Sequence, residues 1–185
     1  MGIATSTLGE ANCKRAALLA DGLAGCSPDA RLGVGTATAV VPLEAQSIFE
    51  TGTIDALMGE PAEDRVEVLF YLEAFSPVFA QLVLPSVLEE AAAPFGEQLT
   101  TTVPLVQAWP EGPDLLLETF QTTIGPEHLT YYRSVHGRVV AYKPRGIRLP
   151  KRCPHGGFPF AMQLEFLGGT HTTAEYRVPC PQGAD

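Results

Sequence analysis

Cys153 and His155 are the residues of this sequence whose types and spacing come closest to a nucleophile and its base. An imidazole beside a thiol is the arrangement of cysteine nucleophiles. Nucleophile and base usually come from separate segments, however, so a spacing of two residues favours a structural cysteine. Serine chemistry is not indicated, because the sequence has no G-x-S-x-G elbow. A hydrolase whose site is assembled from several loops stays open as an alternative.

The sequence contains no motif for binding a metal ion or a cofactor. The histidines lie beside glycines, prolines or predicted turns, and no ligand spacing connects them with Asp114 or Glu127. The segment 33–38, GVGTAT, lacks the further glycine of a dinucleotide loop and the lysine of a phosphate loop. We therefore predict a non-enzymatic protein without catalytic residues, metal or cofactor. The histidines are His128, His136, His155 and His171.

The four cysteines form two local pairs. Cys13 and Cys26 are 13 residues apart, and Cys153 and Cys180 are 27 residues apart. This spacing predicts the disulfides Cys13–Cys26 and Cys153–Cys180 and, with them, an oxidising compartment. The alternative is four buried thiols in a reducing compartment, and residues 1–22 do not have the pattern of a secretory signal. On the paired cysteines we expect an extracellular or cell-surface location.

A basic stretch with interleaved tyrosines, 131–152, is the main candidate for ligand binding. It carries seven cations and no acid, whereas the 185-residue chain has a net charge of −9. Exposed aromatic rings can stack on sugars, so we predict that Tyr131, Tyr132, Tyr142 and Arg145 face a ligand. The other interpretation is that the tyrosines pack against one another across strands. The seven cations are Arg133, Arg138, Lys143, Arg145, Arg148, Lys151 and Arg152.

Composition limits the class of protein and its partners. Hydrophobic residues make up 45% and charged residues 18% of the chain, as in a β-rich globular protein. The acidic total argues against nucleic-acid binding, since phosphate backbones require a basic field. No apolar run approaches the ~20 residues of a membrane span. The partners that we predict are a polysaccharide or another surface protein.

Short strands joined by turns account for most of the sequence pattern. Alternating apolar residues predict strands over 65–74, 76–85, 98–106 and 115–125. A hairpin is predicted over 129–144, with His136-Gly137 at its tip, Val135 opposite Arg138 and Tyr131 opposite Tyr142.

One helix is predicted over 12–24, with Asn12 as its N-cap and Gly22 as its end. Residues 86–96 could hold one further helical turn. The absence of a strand–helix–strand rhythm favours an all-β fold, an antiparallel β-sandwich of the Ig-like or jelly-roll-like type with one short N-terminal helix. We expect one domain over 1–185, in which residues 1–30 form a helix-containing clip.

The segment 153–181 is predicted to be a hairpin that closes the sandwich. A two-residue Gly168-Gly169 loop would place polar residues on its apolar face, so we expect a turn of three or five residues with a left-handed glycine. This register pairs Met162 with Tyr176. The apolar face consists of Phe160, Met162, Leu164 and Phe166, opposite Thr172, Ala174, Tyr176 and Val178.

Five stretches of the sequence carry a resemblance to a group of proteins. They are GIATSTLG, GLAGCSPDARLGVG, VLFYLEAFSPVFAQLVL, TTIGPEHLTYYRSVHGRVVAYKPRGI and CPHGGFPFAMQLEF with VPCP. Over nearly the whole chain, the sequence resembles a group of uncharacterised, exported actinobacterial β-rich proteins. Members of the group have a leader and further β sequence before the first stretch, so the resemblance implies that this chain is N-terminally truncated relative to them. It implies no activity, catalytic residue or cofactor.

The function that these observations favour is that of an exported or surface β-sandwich module with a structural, adhesion or assembly role. One alternative is a carbohydrate- or cell-wall-binding module that uses the tyrosines and the basic stretch. The other alternative is the hydrolase with a loop-assembled site.

Overall fold

The computed structural model describes residues 8–62, 65–76, 79–146 and 153–180. Within these residues one α-helix, α1 (Arg15–Asp21), precedes ten strands. The strands are β1 (Arg31–Pro42), β2 (Ser47–Ala62), β3 (Arg65–Ala74), β4 (Ala80–Glu90), β5 (Glu97–Thr101), β6 (Leu116–Ile124), β7 (Tyr131–Val135), β8 (Arg138–Tyr142), β9 (Phe158–Glu165) and β10 (His171–Val178). Two short 3-10 turns, Gly22–Gly25 and Pro28–Ala30, follow the helix.

Six strands form one curled antiparallel sheet in the order β5-β4-β3-β2-β1-β6. The hairpins β7–β8 and β9–β10 form two separate two-stranded sheets. The six-stranded sheet carries a hydrophobic layer on each side of its central strands. These features confirm the predicted class, an all-β, antiparallel, sandwich-like fold with one short N-terminal helix.

The first hydrophobic core lies on one face of the six-stranded sheet, where Leu129 and Tyr131, at the start of the β7–β8 hairpin, pack against it. Phe70 of β3 lies opposite Leu84 of β4 and contacts the ring of Phe120 edge to face, with 5.2 Å between the ring centroids. Tyr131 covers this core from the hairpin and is fully buried. The core thus joins the sheet to the hairpin that carries the basic stretch. Its buried members are Leu8, Leu32, Ala37, Ile54, Ala56, Val68, Phe70, Leu84, Leu129 and Tyr131.

The second core lies on the opposite face of the same strands, beneath α1. Leu18 is the helix residue that is buried, and it belongs to one cluster with Leu69, Tyr71 and Val83 of the sheet. Since successive residues of a strand point to opposite faces, β3 supplies both cores, with Phe70 on one side and its neighbours on the other. This explains why the segment 65–74 is apolar on both faces.

The helix begins at Arg15, so the prediction of a helix from residue 12 with Asn12 as its N-cap is wrong. The reason lies in Cys13, the residue after Asn12. It is buried, and its backbone N–H donates to the Met58 carbonyl at 2.8 Å. That bond ties Cys13 to strand β2 instead of to the first turn of a helix. Gly22 ends the helix with φ 60, as predicted.

Strand β4 continues to Glu90 and residues 91–96 contain no helix, so the expected helical turn at 86–96 is wrong. This part of β4 pairs with β5, and the hydroxyl groups of Ser86 and Thr101 form a hydrogen bond of 2.7 Å. Pairing along the ladder satisfies the backbone of the segment. Its tertiary partners therefore outweigh its local helix propensity.

The β7–β8 hairpin has the predicted register, with Tyr131 opposite Tyr142 and Val135 opposite Arg138. His136 and Gly137 occupy its tip with φ 51 and 76. Two successive positive φ angles are typical of the type I′ turn, whose twist matches that of the strands it joins. The two-residue loop is confirmed.

The β9–β10 hairpin forms with a left-handed glycine at its turn, Gly169 at φ 77, but its register differs from the prediction by two residues. Met162 lies opposite Ala174 instead of Tyr176. A shift of two residues keeps every side chain on its face, so apolar alternation cannot distinguish the two registers. All residues of β10 are exposed, so the hairpin does not cover the core, and the prediction that it closes the sandwich is corrected.

The Tyr131 hydroxyl connects three segments inside the first core. It accepts a hydrogen bond from the Gly9 backbone N–H at 2.9 Å and donates to the Arg31 carbonyl. Burial is the main cause that raises the pKa of Tyr131, so its hydroxyl stays protonated and keeps its donor. One side chain thereby holds the N-terminal segment and the start of β1 against the β7–β8 hairpin.

The substitution Tyr131→Phe should lower the free energy of unfolding by about 1–3 kcal/mol, because it removes the hydroxyl and leaves the Gly9 N–H and the Arg31 carbonyl without this partner. Urea denaturation measures this loss. The adjacent substitution Tyr132→Phe removes a hydroxyl from a side chain that is 47% exposed, and it should change stability by no more than about 0.5 kcal/mol. Equal losses in the two variants would contradict the role assigned to Tyr131.

A buried carboxylate, Asp55, lies between β2 and the start of β1. Its Oδ1 atom forms an ion pair with Arg31, 2.6 Å from Nη2. The geometry of this contact is not that of a hydrogen bond, so Oδ1 is buried without a hydrogen-bond donor. Burial raises the pKa of Asp55 above its ordinary value of 3.8, and the charge of Arg31 only partly opposes that effect. The folded protein therefore binds a proton at this carboxylate more tightly than the unfolded chain does.

It follows that the contribution of Asp55 to stability should increase as the pH falls from neutral toward 3.8. The variant Asp55→Asn cannot ionise, so its free energy of unfolding relative to the wild type should rise between pH 4 and pH 7. Urea denaturation at several pH values tests this, and Glu44→Gln, at an exposed position, controls for the change in net charge. A relative stability of Asp55→Asn that falls with rising pH would refute the assignment.

Candidate functional site

An open depression of about 380 Å³ lies at the open end of the β7–β8 hairpin. Arg133 comes from β7, Tyr142 from the end of β8, and Lys143 and Arg145 from the segment that follows. Glu10, from the segment before α1, completes the lining. We call this depression the basic groove, because three of its five lining side chains are cations.

Hairpin register positions the central aromatic ring of the basic groove. Tyr142 lies directly opposite Tyr131, and the two rings meet edge to face with 6.0 Å between their centroids. Arg133 is two residues further along the facing strand, and its guanidinium carbon lies 5.0 Å from the Tyr142 ring centroid. This distance is within the range of a cation–π contact. Tyr142 is thus held between a buried tyrosine and a cation.

Hydrogen bonds orient the polar ends of the basic groove. The Tyr142 hydroxyl donates to Glu10 Oε2, and this bond to a carboxylate is the main cause that raises the pKa of Tyr142 to about 12. Lys143 Nζ donates to Thr130 Oγ1 at 3.0 Å. The groove therefore presents three cations and one carboxylate, with a neutral tyrosine hydroxyl at physiological pH.

The four predicted ligand-facing residues do not all reach this site. Tyr142 and Arg145 line the basic groove, and Tyr132 is 47% exposed but is not part of the lining. Tyr131 is fully buried, so its prediction as a ligand-facing residue is wrong. Tyr131 lies in the first core, and its ring packs against that of Tyr142 on the facing strand. For Tyr131 the alternative interpretation, packing across strands, is therefore the correct one.

Sequence reasoning missed Glu10 as a member of the site. It is far from the basic stretch in the chain, and it reaches the groove because the preceding segment is tied to Tyr131 through Gly9. No local pattern marks such a residue. Arg133 and Lys143 belong to the predicted basic stretch, whereas its members Arg148, Lys151 and Arg152 lie outside the described residues.

The cysteines pair as predicted. Cys13 and Cys26 have their Cα atoms 5.1 Å apart, and Cys153 and Cys180 have theirs 5.9 Å apart. The first disulfide belongs to the second core, where Cys13 is buried. The second joins the ends of the exposed β9–β10 hairpin. Because the Cys153 sulfur is part of a disulfide, it has no free thiol to act beside His155.

The described part of the chain has neither a cluster of metal ligands nor a helix that could cross a membrane. No three His, Cys, Asp or Glu side chains come together there as ligands for a metal ion. No helix among the described residues has the length and apolar character needed to cross a membrane.

Comparison with known proteins finds no matching family model, no similar curated protein and no similar solved structure. The fold and the site together define an all-β, sandwich-like protein with two disulfides and an open basic groove. The resemblance to exported actinobacterial proteins stays a prediction.

The two disulfides should differ in their effect on the six-stranded sheet. Replacing Cys13 and Cys26 by alanine should destabilise the sheet by about 3 kcal/mol, the loop-closure value for a loop of this size, because this disulfide joins the helix to the second core. Replacing Cys153 and Cys180 should leave the sheet unchanged, since the exposed hairpin does not share its core. Amide hydrogen exchange of β2–β4 measures both effects.

The two cysteine variants are controls for each other. Loss of protection in β2–β4 after replacement of Cys153 and Cys180 would show that the β9–β10 hairpin and the sheet unfold together. Unchanged protection after replacement of Cys13 and Cys26 would show that the second core does not need the clip.

Proposed function

We propose that this protein is a non-enzymatic, exported surface module that attaches to an anionic polysaccharide through the basic groove. The observation that carries the proposal is the convergence of Arg133, Lys143 and Arg145 on one open depression. The chain as a whole has a net charge of −9, so this groove is a local positive region on an acidic protein. Such a region attracts an anionic ligand and orients it.

The chemistry of the lining residues fits carboxylate or similar groups along a sugar chain. A guanidinium group offers a planar fork that binds a carboxylate through two parallel hydrogen bonds, and the Lys143 ammonium adds a point charge. Glu10 can accept hydrogen bonds from sugar hydroxyl groups with the oxygen that Tyr142 does not use. The combination favours an acidic sugar over a simple anion.

The shape of the groove favours a polymer over an enclosed small molecule. Small-molecule sites usually bury most of the ligand surface inside a cleft, whereas this depression is open to solvent. A polysaccharide chain could cross it with several successive residues in contact. The two disulfides support export, because such bonds persist in oxidising compartments.

The lining of the basic groove supports binding over hydrolysis. Glycoside hydrolysis uses a pair of carboxyl groups on either side of the scissile bond. The basic groove has a single carboxylate, Glu10, which already accepts a hydrogen bond from Tyr142. This arrangement offers no partner for acid–base exchange across a bound sugar, so we propose attachment and not cleavage.

Retention on immobilised polygalacturonate, with neutral dextran as the control polymer, tests the proposed function. Binding should occur on the anionic polymer alone and weaken as the salt concentration rises. The variant Arg145→Gln should raise the Kd about tenfold or more, because it removes a charge-assisted hydrogen bond.

Arg138→Gln is the matched control variant, since it removes the same charge from the hairpin that precedes Arg145. Arg138 lies at the tip end of β8, about 13 Å along the strand from Tyr142. It should retain wild-type affinity, and urea denaturation of both variants verifies that they fold. Equal retention on dextran, or equal losses in the two variants, would refute binding at the basic groove.

A further inference from the structure

The β9–β10 hairpin has two chemically different faces. One face, which we call the hairpin apolar face, brings apolar side chains of both strands together, and the opposite face carries Gln163, Glu165, Glu175 and Arg177. The hairpin apolar face is open: Phe160 is 57% and Tyr176 is 68% exposed. Its members are Phe158, Phe160, Met162 and Leu164, opposite Val178, Tyr176, Ala174 and Thr172.

A two-stranded sheet of this kind is not stable by itself in water. Isolated hairpins are marginal, and they become stable when a hydrophobic face packs against another element. In the described structure β9 contacts β10 and shares no hydrophobic core with the six-stranded sheet. The Cys153–Cys180 disulfide joins the ends of the hairpin but covers none of its apolar surface. The hairpin therefore requires a covering surface.

We infer that the hairpin apolar face of a second copy of this chain provides that cover. The same face on both subunits makes a self-complementary, twofold-symmetric contact, which is the commonest symmetry among oligomers. Two sheets pack face to face with interdigitating side chains about 10 Å apart. Thr172 and Ala174, the small residues of β10, leave room for the large side chains of the partner.

The area of the hairpin apolar face matches what a dimer needs. Phe160, Met162, Leu164, Phe166 and Tyr176 are each between 44% and 68% exposed, and large side chains of this kind present on the order of 150–250 Å². Together they offer roughly 500 Å² per copy, so a symmetric contact buries about 1,000 Å² in total, the minimum expected of a specific interface.

The size of the exposed hairpin apolar face is itself informative. An exposed apolar patch of several hundred Å² on a monomer commonly marks an interaction site.

Charge does not oppose contact through the β9–β10 hairpin. Its two strands carry Glu165, Glu175 and Arg177 as charged residues, whereas the chain as a whole has a net charge of −9. All three lie on the face opposite the hairpin apolar face, so a contact through the hairpin apolar face buries none of them.

A dimer would carry two basic grooves, so a repetitive polymer could be bound at two points with higher avidity. That consequence rests on the proposed function, whereas the dimer itself does not. The mass of the protein without any polymer therefore tests the dimer alone, and its failure would leave polymer binding by single chains unaffected.

Sedimentation velocity of the wild-type protein and two variants tests the inference, from low micromolar to low millimolar concentration. The wild type should reach twice the monomer mass of 19.7 kDa. Met162→Glu places a carboxylate on the hairpin apolar face and should weaken dimerisation at least about 100-fold, because the dimer would bury an unpaired charge. Gln163→Glu adds the same charge on the opposite face and should dimerise like the wild type.

Far-UV circular dichroism and urea denaturation show whether the Met162→Glu variant still folds. They therefore distinguish a loss of dimerisation from a loss of folding. Met162 is 55% exposed in the single chain, so the sheet of this variant should unfold at the wild-type urea concentration. A wild type that stays monomeric at every concentration would overturn the inference. So would a Met162→Glu variant that dimerises normally, or a wild type that forms species larger than a dimer.

Discussion

The buried hydroxyl of Tyr131 is the contact on which both the fold of the hairpin and the geometry of the site depend. It accepts from Gly9 and donates to Arg31, so it joins three segments that are distant in the chain. Tyr142 packs on the Tyr131 ring, and Glu10 follows Gly9 directly. The basic groove therefore lies next to a tyrosine that is itself part of the core, and Tyr142 and Glu10 are positioned by their contacts with that part of the structure.

The six-stranded sheet is covered unevenly. Its central strands are covered on one face by Leu8, Leu129 and Tyr131 and on the other by the α1 helix with the Cys13–Cys26 disulfide. The outer strands β5 and β6 have mostly exposed side chains, and the β9–β10 hairpin stands apart. Hydrophobic burial is thus concentrated around Phe70 and Tyr71, while large apolar side chains elsewhere, such as those of the β9–β10 hairpin, stay exposed.

Much of the architecture could be predicted from local patterns. The two-residue period of 65–74 indicates a strand, and His136-Gly137 between two strands indicates a tight hairpin with a defined register. The cysteine pairs follow from their spacing in the chain. Predictions failed where a distant partner decides the structure, as for Asn12, whose expected helix start is displaced by the bond between Cys13 and Met58.

The sequence by itself determined the all-β class, the β7–β8 register, the cysteine pairing and the basic character of 131–152, because each depends on residues that are close together in the chain. Only the tertiary structure decided that Tyr131 is buried while Tyr142 lines a groove. The two tyrosines lie opposite each other in the hairpin, but Tyr131 packs in the first core and Tyr142 borders the open depression. It also brought Glu10 to the site and left the β9–β10 hairpin outside the core. The two-residue period of a strand predicts which side chains share a face. The surface against which each face packs depends on contacts between elements that are distant in the chain.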